Sequence, residues 1–351
     1  MSGFKTEEEL RSLLSSFKEG LEHWKLLFSD PEQTTQVKSS AVKEPIIELV
    51  KLNKLIHAHT TKLGIVFKPP IKEITAAYKT VKENSETFVL LISLLCQLNN
   101  EERKYSKIYL NEIISIVKQL LISEEELIIE LESISSNLKG GKDYENEVDE
   151  RLVSVGKIWE RCDQLVKICE LGKVNYLKLK IKDSISIISD ALEEFDEWIE
   201  NPNEFDGDDP FGLDDTNSDA EDNQEPPSSE ENEVDKEHDE EYWKETLDFA
   251  KKYSQKIKMI KLLLSSFLKS IPAVINGLEV DLLNSKQQKF SELVDDLVCY
   301  MMVDNDVNQS EKLLNILKKE CDAVIKLVID LNKNDEKKEK WLLTWQNKFR
   351  E

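Results

Sequence analysis

Glycine and proline are scarce in this chain, ten and nine in 351 residues. Many of them fall in one acidic stretch or beside turns, so the rest is free to run as long helices, and no segment alternates with period two long enough to make a strand. Cysteine is sparse too. The five (Cys96, Cys162, Cys169, Cys299, Cys321) are odd in number, scattered, and set in apolar helical stretches. That excludes a disulfide framework and suits small hydrophobic side chains in a reducing compartment. Long hydrophobic runs are missing. The longest uncharged one, residues 87–100, has 14 residues, which fits a buried helix better than a membrane span. The opening MSGFKTEEEL carries neither a basic region nor an apolar one, so no secretory signal is expected. These absences describe a soluble, intracellular chain.

Reaction chemistry is equally hard to find. His57 and His59 are two positions apart, about 200° around a helix, and cannot clamp one metal. There is no E-x-x-H, which a di-iron bundle needs twice, and no C-x-x-C; Cys162 and Cys169 sit on one apolar stripe. Neither G-x-x-x-x-G-K nor G-x-G-x-x-G occurs, nor a serine nucleophile elbow. The many carboxylates form solvated clusters, without the burial that would separate them into acid and base roles. The sequence assigns no catalytic, cofactor-binding or metal-ligating residue, and no enzyme is expected.

What is present is charge, unevenly spread. Residues 200–241 hold nineteen acids against one base, Lys236, a net of −18 in a chain of −23, leaving −5 elsewhere. With four prolines and few aliphatics this segment cannot bury enough apolar surface to offset the entropy of ordering, so it reads as a disordered acidic linker. Within it Thr216, Ser218 and Ser228 each have an acid three residues on (Asp219, Glu221, Glu231), the pattern an acidophilic kinase accepts. Just after it come Lys251, Lys252, Lys256, Lys258 and Lys261, which read first as a solvated helix face. An acidic chain of this kind is not expected to grip nucleic acid directly.

Elsewhere apolar residues recur at steps of three and four. Leu10, Leu13, Leu14, Phe17, Leu21, Trp24 and Phe28 predict a helix over 6–29, with Thr6 and Glu9 as a capping box. Helices follow over 38–66, broken by Pro69 and Pro70, over 71–98 and over 102–122. Ser123, with Glu126 three residues on, reads as the cap of a further helix ending near Gly140 and Gly141. Leu152, Val155, Trp159, Cys162, Leu165 or Val166, and Cys169 make one stripe, closed by Gly172 as a helix cap. Val174 to Ile199 and Trp243 to Phe267 make two more; Pro272 opens a helix toward Val303, and others cover 309–331 and 335–349. Trp24, Trp159, Trp198, Trp243, Trp341 and Trp345 are expected as core or seam anchors. The fold class is all-α, two helical bundles joined by the linker. The boundaries are 1–141 for a first bundle, 142–199 for helices leading into a second, 200–241 for the linker and 242–351 for the helices completing it.

Several segments resemble the cyclin-D-binding, GCIP-like proteins. These are TTKLGIVF at 60–67 before Pro69 and Pro70, VGKIWERC at 155–162, DALEE at 190–194, DPFGL at 209–213 opening the acidic tract, Tyr242 and Trp243 closing it, and VDDL at 294–297. The resemblance runs from about residue 60 to 302. It implies an all-helical architecture like that of vinculin-type adaptors, with four- or five-helix bundles. It also implies binding of D-type cyclins and of helix-loop-helix factors, in negative regulation of proliferation and transcription. No individual partner-binding residue is assigned. The alternative is a vinculin-like cytoskeletal or trafficking scaffold.

Overall fold

The computed structural model describes residues 4–28, 38–136, 150–202, 231–304, 306–333 and 335–351. Among these residues are ten helices and no strand: α1 (Glu7–Leu27), α2 (Pro45–Val66), α3 (Ile74–Asn99), α4 (Glu102–Tyr105), α5 (Lys107–Ser136), α6 (Glu150–Glu200), α7 (Glu231–Ser270), α8 (Gly277–Met302), α9 (Val307–Leu331) and α10 (Glu336–Arg350). The fold is all-α. The chain forms two compact units, Met1–Tyr176 with Asn276–Asp281, and Leu177–Ile275 with Leu282–Glu351.

In the first unit the predicted capping box opens α1. Thr6 Oγ1 accepts from the Glu9 amide at 3.2 Å, while the Thr6 amide donates to Glu9 Oε2 at 2.9 Å. Pro45 occupies the first turn of α2, where a missing N–H costs nothing. Helix α1 packs on α3 and α5, α2 packs on α3, and α6 closes the ring between α2 and α5. Aromatic contacts tie it inside: Phe17 lies 5.7 Å from Phe88 between ring centroids, and Tyr109 lies 6.2 Å from Tyr176. The result is a five-helix bundle, one continuous core from Leu10 to Tyr176.

Three expectations change here. Helix α5 runs through Ser123 without a break, because Leu120, Leu121, Leu127 and Ile128 continue one buried face. Ser123 is itself buried, and the Glu126 carboxylate goes to Lys157 at 2.8 Å instead of to a cap. Helix α5 starts after Ser106, whose Oγ accepts from the Tyr109 amide at 3.3 Å, and is capped also from far along the chain. The Asp281 carboxylate accepts from the amides of Lys107 at 2.8 Å and Ile108 at 3.0 Å. Second, the stripe along the first part of α6 slips from the sequence reading at Leu152 and Trp159 and holds at its other four positions. Ile158 is the core residue, with Val155, Cys162, Leu165 and Cys169, whereas Leu152 and Trp159 face solvent, Trp159 at 37% exposure. Third, the described part of the stretch 142–199, from Glu150, is divided between the two units. As far as Tyr176 it buries its apolar side chains in the first unit's core. Gly172 breaks α6 as foreseen, at φ 72°, a backbone conformation glycine adopts without strain.

In the second unit the end of α6 packs on α7, where Asp196 accepts from Ser254 Oγ at 2.5 Å and pairs with Lys258 at 3.0 Å. Trp345 of α10 donates to the Met259 carbonyl of α7 at 2.9 Å. Asp322 of α9 holds Gln346 and Arg350 of α10, and Lys286 of α8 pairs with Glu320 of α9. Lys256 leaves the solvated stripe expected of it. It is buried and donates to the Phe349 carbonyl at 2.8 Å, and burial pulls its ammonium below the usual lysine range. Cys299 is exposed, unlike the other four cysteines. Of the acidic tract, residues 203–230 lie outside the described residues; Glu200 ends α6, and residues 231–241 belong to α7. The kinase-type sites Thr216, Ser218 and Ser228 also lie outside the described residues.

Candidate interaction surface

The surface begins with the way α2 and α6 meet. Gly64 of α2 lacks the Cβ that would come within 3.3 Å of Val155 on α6, so the two helices approach closely there. They run antiparallel from that point. The His57 ring stacks on Trp159, centroids 5.2 Å apart and planes 13° from parallel. Farther along, Asn53 Nδ2 donates to the Cys162 carbonyl at 2.7 Å. The helices then diverge into an open cleft of about 430 Å³, lined by Asn53, Lys54 and His57 on one wall and by Asp163, Val166, Lys167 and Glu170 on the other. Asn53 is 1% exposed, and its Oδ1 has no hydrogen-bond partner among the described residues.

The cleft holds no activated thiol. The Cys162 thiol at the cleft floor is pushed up to about 12, first by burial and then by the nearby Glu124 and Asp163 carboxylates, so no thiolate forms at neutral pH. The two histidines point at different helices, His57 to Trp159 of α6 and His59 to Thr87 of α3, whose Oγ1 lies 3.4 Å from Nδ1. Burial and the Lys62 charge hold the His59 imidazole below its usual pKa, hence neutral. Among the described residues no three of His, Cys, Asp or Glu come together to hold a metal ion. A second cleft, of about 320 Å³ in the other unit, is lined by Glu193, Asp196, Glu197, Glu200 and Lys261. There part of the lysine stripe meets acids at the end of α6.

Outward from the first cleft, α2 presents a face that the periodicity reading passed over. Ile47, Lys51, Lys54, Leu55, Ala58, Lys62 and Ile65 are all exposed, Ile65 at 69%, and fall at steps of three and four. Beyond Trp159, α6 adds exposed Leu152 and Val153. A count of charge finds the same region: residues 38–82 contain nine lysines and three glutamates, in a chain whose net charge is −23.

Residues 48–201, which hold nearly all of α2 and all of α3 to α6, match the family described as Grap2 and cyclin-D-interacting, N-terminal. Over this stretch the chain is similar to the GCIP-like family. The segments at 60–67, 155–162 and 190–194 lie inside the matched residues; those at 209–213, 242–243 and 294–297 lie beyond them. An uncharacterized protein of Saccharomyces cerevisiae is 28% identical over 366 residues, covering 99% of this chain and 97% of its own. Another, of Schizosaccharomyces pombe, is 26% identical over 327 residues, covering 90% and 89%. The GCIP-like family is described by interaction with a protein. Among the described residues no helix is long and apolar enough to cross a membrane.

Proposed function

We propose that this protein is a non-catalytic interaction regulator of the cell cycle or of transcription, binding cyclin-type or helix-loop-helix partners through bundle surfaces. The observation that carries this reading is the family match over residues 48–201, whose description names D-type cyclin interaction. The α2–α6 surface lies within those residues, exposes aliphatics beside an open cleft, and offers no activated nucleophile. On this reading the protein works in cytoplasm and nucleus, without cofactor and without direct contact to nucleic acid. Acidophilic phosphorylation at Thr216, Ser218 and Ser228 would add ~1.5 to 2 negative charges per site. The test is direct binding of the purified full chain to a recombinant D-type cyclin and to a helix-loop-helix dimer by calorimetry. Saturable binding to either supports the reading; no heat with both, up to about 100 μM, overturns it.

The two-bundle architecture favours a second reading, a vinculin-like scaffold of the cytoskeleton or of trafficking. Co-sedimentation with filamentous actin decides between them. A pellet that saturates with actin, alongside silent cyclin titrations, would make the scaffold the better account.

A further inference from the structure

From the outer face of α2 we infer that this helix is the docking site for an acidic amphipathic helix of a partner protein. The inference rests on the reading that residues 48–201 mediate protein interaction, and it names the chemistry of what docks. Ile47 and Ile65 lie on one line of the helix, about 27 Å apart at 1.5 Å per residue, with Leu55 between them. That length matches five turns of a partner helix. All three aliphatics are exposed, at 50%, 48% and 69% in chain order, although α2 buries its opposite side fully against α3 and the core.

The charges between them decide the occupant. Lys51, Lys54 and Lys62 project from the same face; Lys51 pairs with Glu48 at 3.1 Å, while Lys54 and Lys62 have no carboxylate within ion-pair distance among the described residues. Residues 38–82 carry nine lysines against three glutamates, so the local excess is positive although the protein is strongly acidic overall. At physiological salt charges act over about 8 Å, so an approaching chain senses the lysines it meets more than the net charge of the whole protein. The lysines stand among the aliphatics, not to one side of them. A bilayer would have to take up Lys54 and Lys62 at the depth of Leu55 and Ile65. A nucleic-acid backbone would pair with the lysines and leave three aliphatics facing phosphate. An acidic helix with leucines at steps of three and four satisfies both, its carboxylates meeting the lysines and its leucines meeting Ile47, Leu55 and Ile65.

The test uses the full chain and three labelled synthetic 18-residue peptides. One has leucines on one helical face and glutamates elsewhere, one has the same composition with leucines scattered, and one has lysines in place of the glutamates. Fluorescence anisotropy at low and physiological salt is expected to show the acidic amphipathic peptide binding at least tenfold more tightly than the other two. Lys54→Glu with Lys62→Glu should weaken it at least tenfold and admit the lysine peptide. Leu55→Ser with Ile65→Ser should weaken it about fivefold while leaving its salt dependence unchanged. All four residues are exposed, so helical circular dichroism should be unaltered. Equal binding of the scattered peptide, sedimentation with phosphatidylserine vesicles, or retention of a DNA duplex would each overturn the assignment. So would a Lys54→Glu, Lys62→Glu variant that keeps full affinity for the acidic peptide. Cyclin titrated against the same variant separates the two readings. If cyclin binds the native chain but the acidic peptide does not, docking on α2 fails and the broader function stands.

Discussion

Glu124 is the group in the first unit whose substitution should tell most. It is fully buried on α5; Asn84 Nδ2 donates to its Oε1 at 2.6 Å, and its Oε2 has no partner among the described residues. Burial pushes this carboxyl up from its ordinary 4.5 to about 8. The folded-state value lies above the unfolded one, so the folded chain holds the proton longer. The contribution to stability is therefore whole below pH 4.5 and is lost as pH rises towards 8, at about 1.4 kcal/mol per pH unit. By pH 7 the loss reaches roughly 3 kcal/mol. Cys162, the thiol that feels the Glu124 charge, stays neutral throughout this window. Glu124→Gln keeps an acceptor for Asn84 and removes the proton. The assay is urea unfolding of wild type and variant at half-unit steps from pH 5 to 8, with hydrogen exchange of α3 and α5 peptides assigning the transition to the first unit. All other carboxylates are common to both proteins and cancel in the difference. The variant should gain on wild type by about 1.4 kcal/mol per unit through the middle of the range. Parallel curves, diverging by less than about 0.5 kcal/mol in total, would refute the reasoning and show that water reaches Glu124.

Trp159→Ala should cost only about 1 kcal/mol, because the ring is 37% exposed and lies outside the buried core, stacked on His57. Trp198→Ala, fully buried beside Phe195, should cost about 3–5 kcal/mol, and denaturant melts of the two variants compare them. Thr6→Ala removes the Oγ1 half of the α1 capping box, leaving the backbone amide's bond to Glu9, and should lower stability by about 1 kcal/mol, read as faster exchange in the first turn of α1. Asp281→Ala should deprotect the amides of Lys107 and Ile108 by about 1–2 kcal/mol of opening free energy, while Asp281→Asn, with one acceptor oxygen for two amides, should keep protection at only one of them.

Features written within a few residues of one another were legible in the sequence. The Thr6 and Glu9 box, the breaks at Gly172 and at Pro69 and Pro70, and the stripes of α7 and the later part of α6 are local consequences of capping chemistry and helical period. Phase was less secure. Ile158 and Trp159 are adjacent and both fit steps of three and four. What selects Ile158 is that α6 lies between α2 and α5, and no residue near 158 states that placement. Ser123 with Glu126 has the same local form as Thr6 with Glu9. It is a cap only where the helix stops, and Lys157, thirty-one residues on, takes the glutamate instead. Lys256 reads as one of five lysines until the fold brings the Phe349 carbonyl to it.

The interaction face was missed for a different reason. Its signal, nine lysines in residues 38–82, is plain in the sequence. The charge that stands out along the chain is the net of −18 in residues 200–241 with the lysines at 251–261 after it, and for the helix over 38–66 the sequence reading gives only bounds. A helix closing a bundle has two faces under separate selection. The inner one must satisfy packing, as Leu49, Leu52, Ile56 and Leu63 do at 0–6% exposure. The outer one needs only to remain soluble, which lysine and alanine alone would achieve. Ile47, Leu55 and Ile65 contribute little to the core from where they stand. Packing does not account for their presence between lysines, and a partner that covers them does.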